Sequence, residues 1–221
     1  MNIEQNIKKI KQEIPSTTRL VAVSKFHDTN QILEAYNSGH KIFGESRVQE
    51  LIDKQPDLPE DIEWHFVGRL QRNKVQFLVP FIQCIHSVDS ARLLRRIEQQ
   101  AARVDRVIPC LLQIHIAQED TKTGFTEDEC WQFLSSNEWR KFKHIQLAGV
   151  MGMATFTDDE QLVRKEFKGL KNFFHKLKEE FFADVPTFKE ISMGMSADYT
   201  IAVEEGSTLI RVGSNIFGER E

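Results

Sequence analysis

The sequence lacks the features of a secreted or membrane-spanning protein. It has only three cysteines, Cys84, Cys110 and Cys130, an odd number with no short spacing, which argues against a disulfide framework or a zinc site. Its N-terminus is too polar for a signal peptide. Its most apolar short stretch, residues 77–82, is interrupted by Pro80 and is too short to cross a bilayer. We therefore expect a soluble, cytoplasmic protein with reduced thiols.

The sequence also lacks a basic excess and the common catalytic motifs. Its 29 lysines and arginines are outnumbered by 33 aspartates and glutamates, for a net charge of −4, which argues against a general binder of nucleic acids or membrane surfaces. Its seven histidines show no HExxH or similar spacing, so we expect no metal site. It contains no GxSxG elbow, no Walker-type loop and no strand-following GxGxxG.

What the sequence does contain is a regular alternation of apolar, β-type runs with segments of helical period. No Gly/Ser linker or low-complexity tract divides it, and 221 residues correspond to one large domain or two small ones at roughly 100–200 residues per domain. We interpret residues 1–221 as a single domain. The predicted strands are Leu20–Ser24, Lys41–Gly44, Glu63–Gly68, Ile82–Ser87, Val107–Ile116, Ile145–Met151, Thr187–Met193 and Thr208–Gly213.

Eight strands that alternate with helices indicate a parallel α/β fold with right-handed crossovers. A closed barrel and an open doubly wound sheet both fit, and the count of eight favours a (β/α)8 TIM barrel. Ile3, Ile7, Ile10 and Ile14 form an apolar stripe on an extra N-terminal helix, whereas only eight residues follow Gly213. We therefore predict that this helix covers the barrel wall where the last helix is missing.

Helix N-termini are predicted from side chains that can cap the first turn. Two pairs have the spacing of a capping box, in which a Ser or Thr is followed three residues later by Glu. The predicted caps are Thr29, Asp89, Thr126 with Glu129, Thr157 with Glu160, and Ser196.

Lys25 directly follows the first apolar strand, where a barrel places its functional groups. A lysine that bends into the barrel mouth is partly desolvated, which lowers its pKa and makes the neutral amine available for a Schiff base. A lysine at a strand end can equally point its ammonium group into solvent. The position of Lys25 alone leaves both interpretations open.

The C-terminal fifth of the chain carries a candidate phosphate site. Ser196 follows strand seven, and Arg211, Gly213 and Ser214 end strand eight. The loops after these two strands form the recurrent phosphate site of barrels, because glycines admit the anion close to the backbone and serines add donors. Ordinary loop punctuation with a helix cap is the alternative interpretation.

Other residues at strand ends are weaker candidates. Ser46 and Gly68 end strands two and three, Met153 ends strand six, and residues 120–124 form a polar loop that is a candidate lid. For each of these, loop or core packing explains the residue as well as a ligand does. Arg92, Arg95, Arg96, Arg103 and Arg106 cluster on and just after one helix, which we interpret as a solvated face.

Several motifs together resemble the pyridoxal phosphate homeostasis protein family, also called YggS/PROSC. The matching segments occur in one order from about residue 19 to the C-terminus, and it is their combination that is specific. They are VAVSK (21–25), FGESRVQE (43–50), WHFVG (64–68), LQRNK (70–74), HSVD (86–89), EDTKTG (119–124), MGM (151–153), SMGMSAD (192–198), and RVG (211–213) with FG (217–218).

The resemblance implies a single-domain barrel like the N-terminal domain of alanine racemase, carrying pyridoxal 5′-phosphate (PLP). Lys25 would hold PLP as a Schiff base. Ser196, with the backbone N–H groups of Gly213 and Ser214, would hold the phosphate.

The resemblance also assigns two residues to the pyridine ring. Arg211 would face the ring nitrogen, and since arginine can only donate, it disfavours a protonated pyridinium and weakens the ring as an electron sink. Ser46 stands where many family members have Asn, and its shorter hydroxyl would approach the ring from strand two.

Three functions from different classes fit these residues. The first is a PLP carrier without catalytic residues, acting as a cytoplasmic monomer that passes PLP to apo-enzymes. The second is a racemase or decarboxylase of the alanine racemase fold type, and the third is a cofactor-free Schiff-base aldolase. A two-base racemase needs an acid/base group on each face of the substrate. In alanine racemase the second comes from a C-terminal β-domain, which we do not expect here because only ten residues follow Arg211.

Overall fold

Eight parallel strands close into one barrel in the computed structural model, which describes residues 2–119 and 123–218. Each strand is hydrogen-bonded to the next, and the eighth pairs with the first, so the predicted TIM barrel is confirmed and the open sheet is excluded. The strands are β1 (Arg19–Val23), β2 (Ile42–Glu45), β3 (Glu63–Phe66), β4 (Cys84–Val88), β5 (Ile108–Gln113), β6 (Ile145–Met151), β7 (Glu190–Ser192) and β8 (Leu209–Val212).

Helices follow the strands and cover the barrel wall. None of those in the described ranges is long and apolar enough to cross a lipid bilayer. They are α1 (Ile3–Glu13), α2 (Thr29–Asn37), α3 (Val48–Lys54), α4 (Val75–Leu78), α5 (Ala91–Arg103), α6 (Glu127–Ser135), α7 (Glu160–Phe181), α8 (Tyr199–Glu204) and α9 (Ser214–Phe217), with 3-10 turns at Gln55–Asp57, Arg72–Lys74 and Glu138–Lys141.

The barrel encloses an apolar layer and a polar layer. Val21, Leu111, Met151 and Leu209 belong to a small buried cluster that is separate from the larger core. Buried polar residues from β3, β4, β7 and β8 supply the other layer: His65, His86, Ser192 and Arg211. A buried polar group is tolerated only when it is hydrogen-bonded, so these side chains must satisfy one another.

Close packing of β6 against β7 requires a glycine at position 149. A Cβ built on Gly149 would lie 1.9 Å from the carbonyl oxygen of Glu190, and the residue has a positive φ of 152°. Any side chain there would push the two strands apart, so this glycine maintains the closure of the barrel.

The extra N-terminal helix closes the barrel wall, as predicted. Ile3, Ile7 and Ile10 on α1 are buried. The Asn6 side chain donates to the carbonyl oxygen of Ile216 in α9 at 2.9 Å, and the Ile3 N–H donates to Glu34 in α2 at 3.2 Å. Helix α1 therefore bridges the helix after β1 and the short helix after β8.

The structure confirms one predicted helix cap and corrects four. Thr126 and Glu129 form the predicted capping box, with reciprocal bonds of 3.1 and 2.9 Å. At the other four helix starts, several nearby residues can form a cap, and only the backbone conformation decides which of them precedes the first turn. The caps are Asp28 instead of Thr29, Ser90 instead of Asp89, Asp159 instead of Thr157, and Asp198 instead of Ser196.

If α1 seals the barrel wall, then shortening a side chain on its buried face destabilises the whole fold. Ile7→Ala is expected to lower the free energy of unfolding by about 2–5 kcal/mol, because it removes a buried branched side chain and leaves a cavity. Lys8→Ala, on the exposed face of the same helix, is expected to change it by no more than about 0.5 kcal/mol. Urea unfolding measures both, and equal effects would contradict the role of α1.

Candidate functional site

A cavity of about 980 Å³ opens at the C-terminal ends of the strands, where barrels carry their functional groups. Side chains from the segments after β1, β2, β6, β7 and β8 line it. The structure brings all six predicted site residues together around this cavity: Lys25, Ser46, Ser196, Arg211, Gly213 and Ser214.

The turn that carries Lys25 is held on both sides by buried or partly buried carboxylates. The Ser24 hydroxyl donates to Glu45 Oε1 at 2.8 Å, and the backbone N–H of Phe26 donates to Glu50 Oε1. Phe26 has a positive φ of 69°, which is uncommon for a residue with a large side chain. The carboxylate contact therefore stabilises a strained turn, and this turn directs the partly buried Lys25 to the cavity instead of into bulk solvent.

Lys54 joins these two carboxylates into one network. Its Nζ lies 3.0 Å from Glu45 Oε1, 2.6 Å from Glu50 Oε1 and 3.0 Å from the carbonyl oxygen of Ser24. Burial raises the pKa of Glu45, and the ammonium group of Lys54 opposes that shift. Sequence reasoning missed this network, although the four-residue spacing of Glu50 and Lys54 is a recognisable helix pair.

The loops after β7 and β8 are bonded to each other at the cavity wall. The Gly213 N–H donates to Ser196 Oγ at 3.2 Å, and the Asn215 side chain donates to the carbonyl oxygen of Ser196 at 3.0 Å. A Cβ on Gly213 would lie 3.0 Å from the carbonyl oxygen of Val23, so a side chain there would crowd β1. These contacts bring Ser196 and Ser214 to one side of the mouth.

This wall carries hydrogen-bond donors that fit a phosphate. Within residues 2–119 and 123–218, the backbone N–H groups of Ser196, Ala197 and Ser214 have no acceptor. The Ser196 oxygen accepts from Gly213, which leaves its hydroxyl proton available to donate. Backbone N–H groups and hydroxyls at the loops after β7 and β8 are the donor set by which barrels bind phosphate esters.

Arg211 is buried beneath the cavity and anchored by two acceptors. Its Nη1 donates to Ser192 Oγ at 2.5 Å, and its Nη2 donates to the carbonyl oxygen of Gly152 at 3.0 Å. Ser192 Oγ lies 2.9 Å from His86 Nδ1, and His86 Nε2 lies 2.9 Å from His65 Nδ1. Since arginine only donates, Ser192 Oγ accepts from Arg211, and its own proton can be donated to His86, which in turn can donate to His65.

Burial determines the charge along this chain of hydrogen bonds. It lowers the pKa of Arg211 to about 10, which still leaves the guanidinium charged at neutral pH. It lowers the pKa of His65 to about 3 and that of His86 well below its usual value. At neutral pH the chain therefore holds its positive charge at the Arg211 end, next to the cavity, with two neutral imidazoles behind it.

One ring nitrogen from each of these two histidines and the sulfur of Cys84 all lie within 4.8 Å of one another. Their facing nitrogens are occupied by the hydrogen bonds to each other and to Ser192. Burial raises the pKa of the Cys84 thiol to about 12, so it is protonated at neutral pH. The two histidines of this cluster are accounted for by the hydrogen bonds that extend from Arg211.

Several functional neighbours were missed or only partly predicted. Gln113 is buried, lines the cavity and donates to the carbonyl oxygen of Thr123 at 2.6 Å. The only sign of Gln113 in the sequence was that it is a polar residue at the end of an otherwise apolar strand. Met153 lines the cavity. Of the proposed lid at 120–124, residues 120–122 lie outside the described residues.

Comparison with known proteins gives consistent matches over the whole chain. A family model described as the N-terminal domain of alanine racemase matches residues 1–221. A curated protein of Aquifex aeolicus (strain VF5), named pyridoxal phosphate homeostasis protein, is 34% identical over 204 residues, which are 92% of this chain and 87% of that protein.

Solved structures show the same fold. PipY of Synechococcus elongatus PCC7942, solved with PLP bound, is 34% identical, has a TM-score of 0.87, and the match covers 98% of this chain and 100% of that one. Alanine racemase of Clostridium difficile 630 has a TM-score of 0.76 at 15% identity, and this chain covers 56% of it. At that identity the second likeness shows the fold alone.

The pKa of His65 makes stability depend on pH with a definite sign. Burial lowers the pKa of His65 to about 3 in the folded chain, below its ordinary value of 6.5. Below pH 6.5 the unfolded chain therefore takes up a proton that the folded chain excludes, and stability decreases as the pH falls. His65→Asn retains an acceptor for His86 but does not titrate in this range. Compared with wild type, it should lose about 2 kcal/mol less stability between neutral pH and about pH 5.

The measurement is urea unfolding at both pH values. Ile7→Ala serves as the control, because it destabilises the fold without removing a titrating group and should keep the wild-type pH dependence. If His65→Asn also keeps that dependence, His65 is not held neutral by burial.

Proposed function

The chain belongs to the alanine racemase N-terminal domain family and, within it, to the pyridoxal phosphate homeostasis proteins, and from this premise we propose that it is a single-domain carrier of PLP in vitamin B6 homeostasis. The observation that carries the proposal is the shared cavity. The six residues predicted to supply the Schiff-base amine, the phosphate site and the ring contacts come from four separate segments, and all of them line the same mouth.

Lys25 is the proposed attachment point. When bound, PLP supplies an aldehyde that condenses with an amine to a Schiff base, with loss of water, and a ring that can delocalise negative charge. The network of Glu45, Lys54 and Glu50 holds the backbone before and after Lys25. None of these contacts uses the Lys25 amine, so they do not compete with its attachment to a ligand, which suits a site that loads and releases its cargo.

The phosphate is proposed to bind the wall formed after β7 and β8. Ser196 and Ser214 would donate their hydroxyls and backbone N–H groups, together with the N–H of Ala197. Gly213 already donates its N–H to Ser196, so its contribution is to orient that hydroxyl and to keep the wall close to β1.

Arg211 and Ser46 are proposed to contact the pyridine ring. The bonds from Arg211 to Ser192 and Gly152 fix the guanidinium, and its remaining N–H donors are available to the ring nitrogen. A charged donor at that position keeps the nitrogen unprotonated, so the ring delocalises negative charge less well than one paired with a carboxylate. This favours holding the cofactor over carbanion chemistry.

We propose that the protein has no catalytic turnover of its own. The relatives that resemble it over their whole length are named for homeostasis, whereas the likeness to alanine racemase supports only a common fold. Sustained turnover of any amino acid at the rates of ordinary enzymes, about 1–10³ s⁻¹, would contradict the carrier proposal and support the racemase or decarboxylase alternative.

Reduced thiols support a cytoplasmic setting. Cys84, Cys110 and Cys130 are all buried and free, which is typical of proteins from a reducing compartment. We propose that the chain acts there as a monomer, buffers the reactive aldehyde and passes PLP to apo-enzymes.

The Schiff-base assignment predicts a labelled lysine. Wild-type protein incubated with PLP and reduced with borohydride is expected to carry a pyridoxyl group on Lys25, located by peptide mass spectrometry. Lys25→Ala should lose the visible absorbance band of the Schiff base. Lys41→Ala, at the opposite end of the barrel, should retain it. A pyridoxyl group on a different lysine of the wild-type chain would refute the assignment.

The phosphate assignment predicts a ligand-specific loss. Ser196→Ala is expected to weaken PLP binding by about 10- to 100-fold, because a hydrogen bond to a charged group contributes about 1.5–3 kcal/mol. Pyridoxal, which lacks the phosphate, should bind to the wild type and to the variant with the same affinity. Equilibrium titration of both compounds makes the comparison. If the variant weakens both ligands equally, Ser196 supports the loop instead of binding phosphate.

A further inference from the structure

A second and larger cavity, of about 1560 Å³, lies beside the mouth and is rich in arginine. We call it the arginine groove. One wall is the segment after β3, the other is the first half of α5, and residues 123–124 form one end. Five arginines line it: Arg69, Arg72, Arg92, Arg95 and Arg96.

Arg92, Arg95 and Arg103 are exposed, as predicted for a solvated face, and Arg92 and Arg95 also line the groove. Arg92, Arg95 and Arg96 face a second row of arginines across the cavity. Arg106 instead donates to the carbonyl oxygens of Val79 and Ile82 at 2.7 and 2.9 Å. Arg103 is exposed at the end of α5 and does not line the groove.

Three of these arginines have no acidic partner in the described part of the chain. Arg69, Arg72 and Arg92 are exposed, and no carboxylate among residues 2–119 and 123–218 lies within 4.0 Å of their charged nitrogens. Asp89, which accepts from the Ser90 hydroxyl, is the acidic residue of the lining. The groove therefore concentrates positive charge on a chain whose net charge is −4.

One arginine of the groove already binds a carboxylate. Glu138 binds Arg95 side-on, with Nε to Oε1 at 2.5 Å and Nη2 to Oε2 at 2.6 Å. This is the two-bond geometry that a guanidinium forms with a carboxylate. Arg96 reaches the opposite wall, where its Nε donates to the Arg72 carbonyl oxygen, and its Nη1 donates to the Gln99 side chain.

We propose that the arginine groove docks an acidic segment of another protein. Its volume exceeds the roughly 300–1000 Å³ of small-molecule sites, so an extended chain with several carboxylates fits it better than one compact ligand. Arg69, Arg72 and Arg92 would bind carboxylates of the partner as Arg95 binds Glu138.

Nucleic acid fits the same surface less well. Among the described residues, the groove lining contains no aromatic side chain on which bases stack. The carboxylate of Asp89 in the lining and that of Glu138 bound to Arg95 would repel a continuous phosphate backbone, and the chain's net negative charge disfavours a polyanion as dense as a nucleic acid.

The position of the groove connects the docked segment to the proposed function. Arg69 and Thr123 line both the arginine groove and the cofactor mouth. A partner held in the groove would therefore lie next to the mouth. This consequence rests on the proposed function, whereas acidic-segment binding itself does not require PLP.

The test uses the full chain without added PLP and a fluorescein-labelled oligoglutamate peptide as the probe. Arg72→Gln/Arg92→Gln removes two groove charges, and the Arg72 carbonyl contact to Arg96 is backbone and remains. Arg103→Gln is the matched control. Fluorescence anisotropy at low ionic strength should show binding to wild type and to the control, and about three- to tenfold weaker binding to the double variant. Added salt should weaken the wild-type complex.

Three results would overturn the proposal. They are no binding of oligoglutamate to wild type, an equal loss in Arg103→Gln, or tighter groove-dependent binding of a labelled single-stranded oligonucleotide of the same length. Urea unfolding should give the same stability for the double variant and the control, since all three arginines are exposed. A negative result here leaves the Lys25 labelling experiment unaffected, so the two proposals can fail separately.

Discussion

The pairing of β8 with β1 is the interaction on which the rest of the structure depends. Ala22 on β1 is in register with Val212 on β8, so the residues that follow these strands emerge at the same rim. Lys25 and Gly213 are far apart in the chain and become neighbours of one cavity only through this pairing. Helix α1 seals the wall outside it, which lets a barrel with a short last helix remain closed.

The mouth is built on buried polar groups that satisfy one another. Burying the charge of Arg211 would be costly by itself. The hydrogen bonds to Ser192 and Gly152 offset that cost, and His86 and His65 extend them through the barrel interior. The apolar cluster that shares the interior supplies packing but no donors. The barrel thereby presents a fixed cation to its cavity, and within residues 2–119 and 123–218 no carboxylate is bonded to it.

Two kinds of positive site lie side by side on this acidic protein. At the mouth, a buried guanidinium and backbone N–H groups are held in position, which suits recognition of one small ligand. In the arginine groove, exposed guanidinium groups are held less firmly, which suits a partner whose carboxylates vary in position. Arg69 belongs to both linings and is where the two sites meet.

The sequence by itself determined the barrel, the covering role of α1 and the residues of the mouth. Strand and helix periods depend on near neighbours in the chain, and a closed parallel barrel gathers the ends of its strands, so position marked Lys25 and Ser196 as candidates for the mouth and the family resemblance supplied their proposed roles. Only the tertiary structure decided four of the five predicted helix caps, because several nearby polar residues compete for each of these caps. It also decided the contacts of Glu45 with Lys54 and of Arg211 with Ser192, and the existence of the arginine groove. These join side chains from separate elements, and no local pattern records which side chains meet when the elements pack.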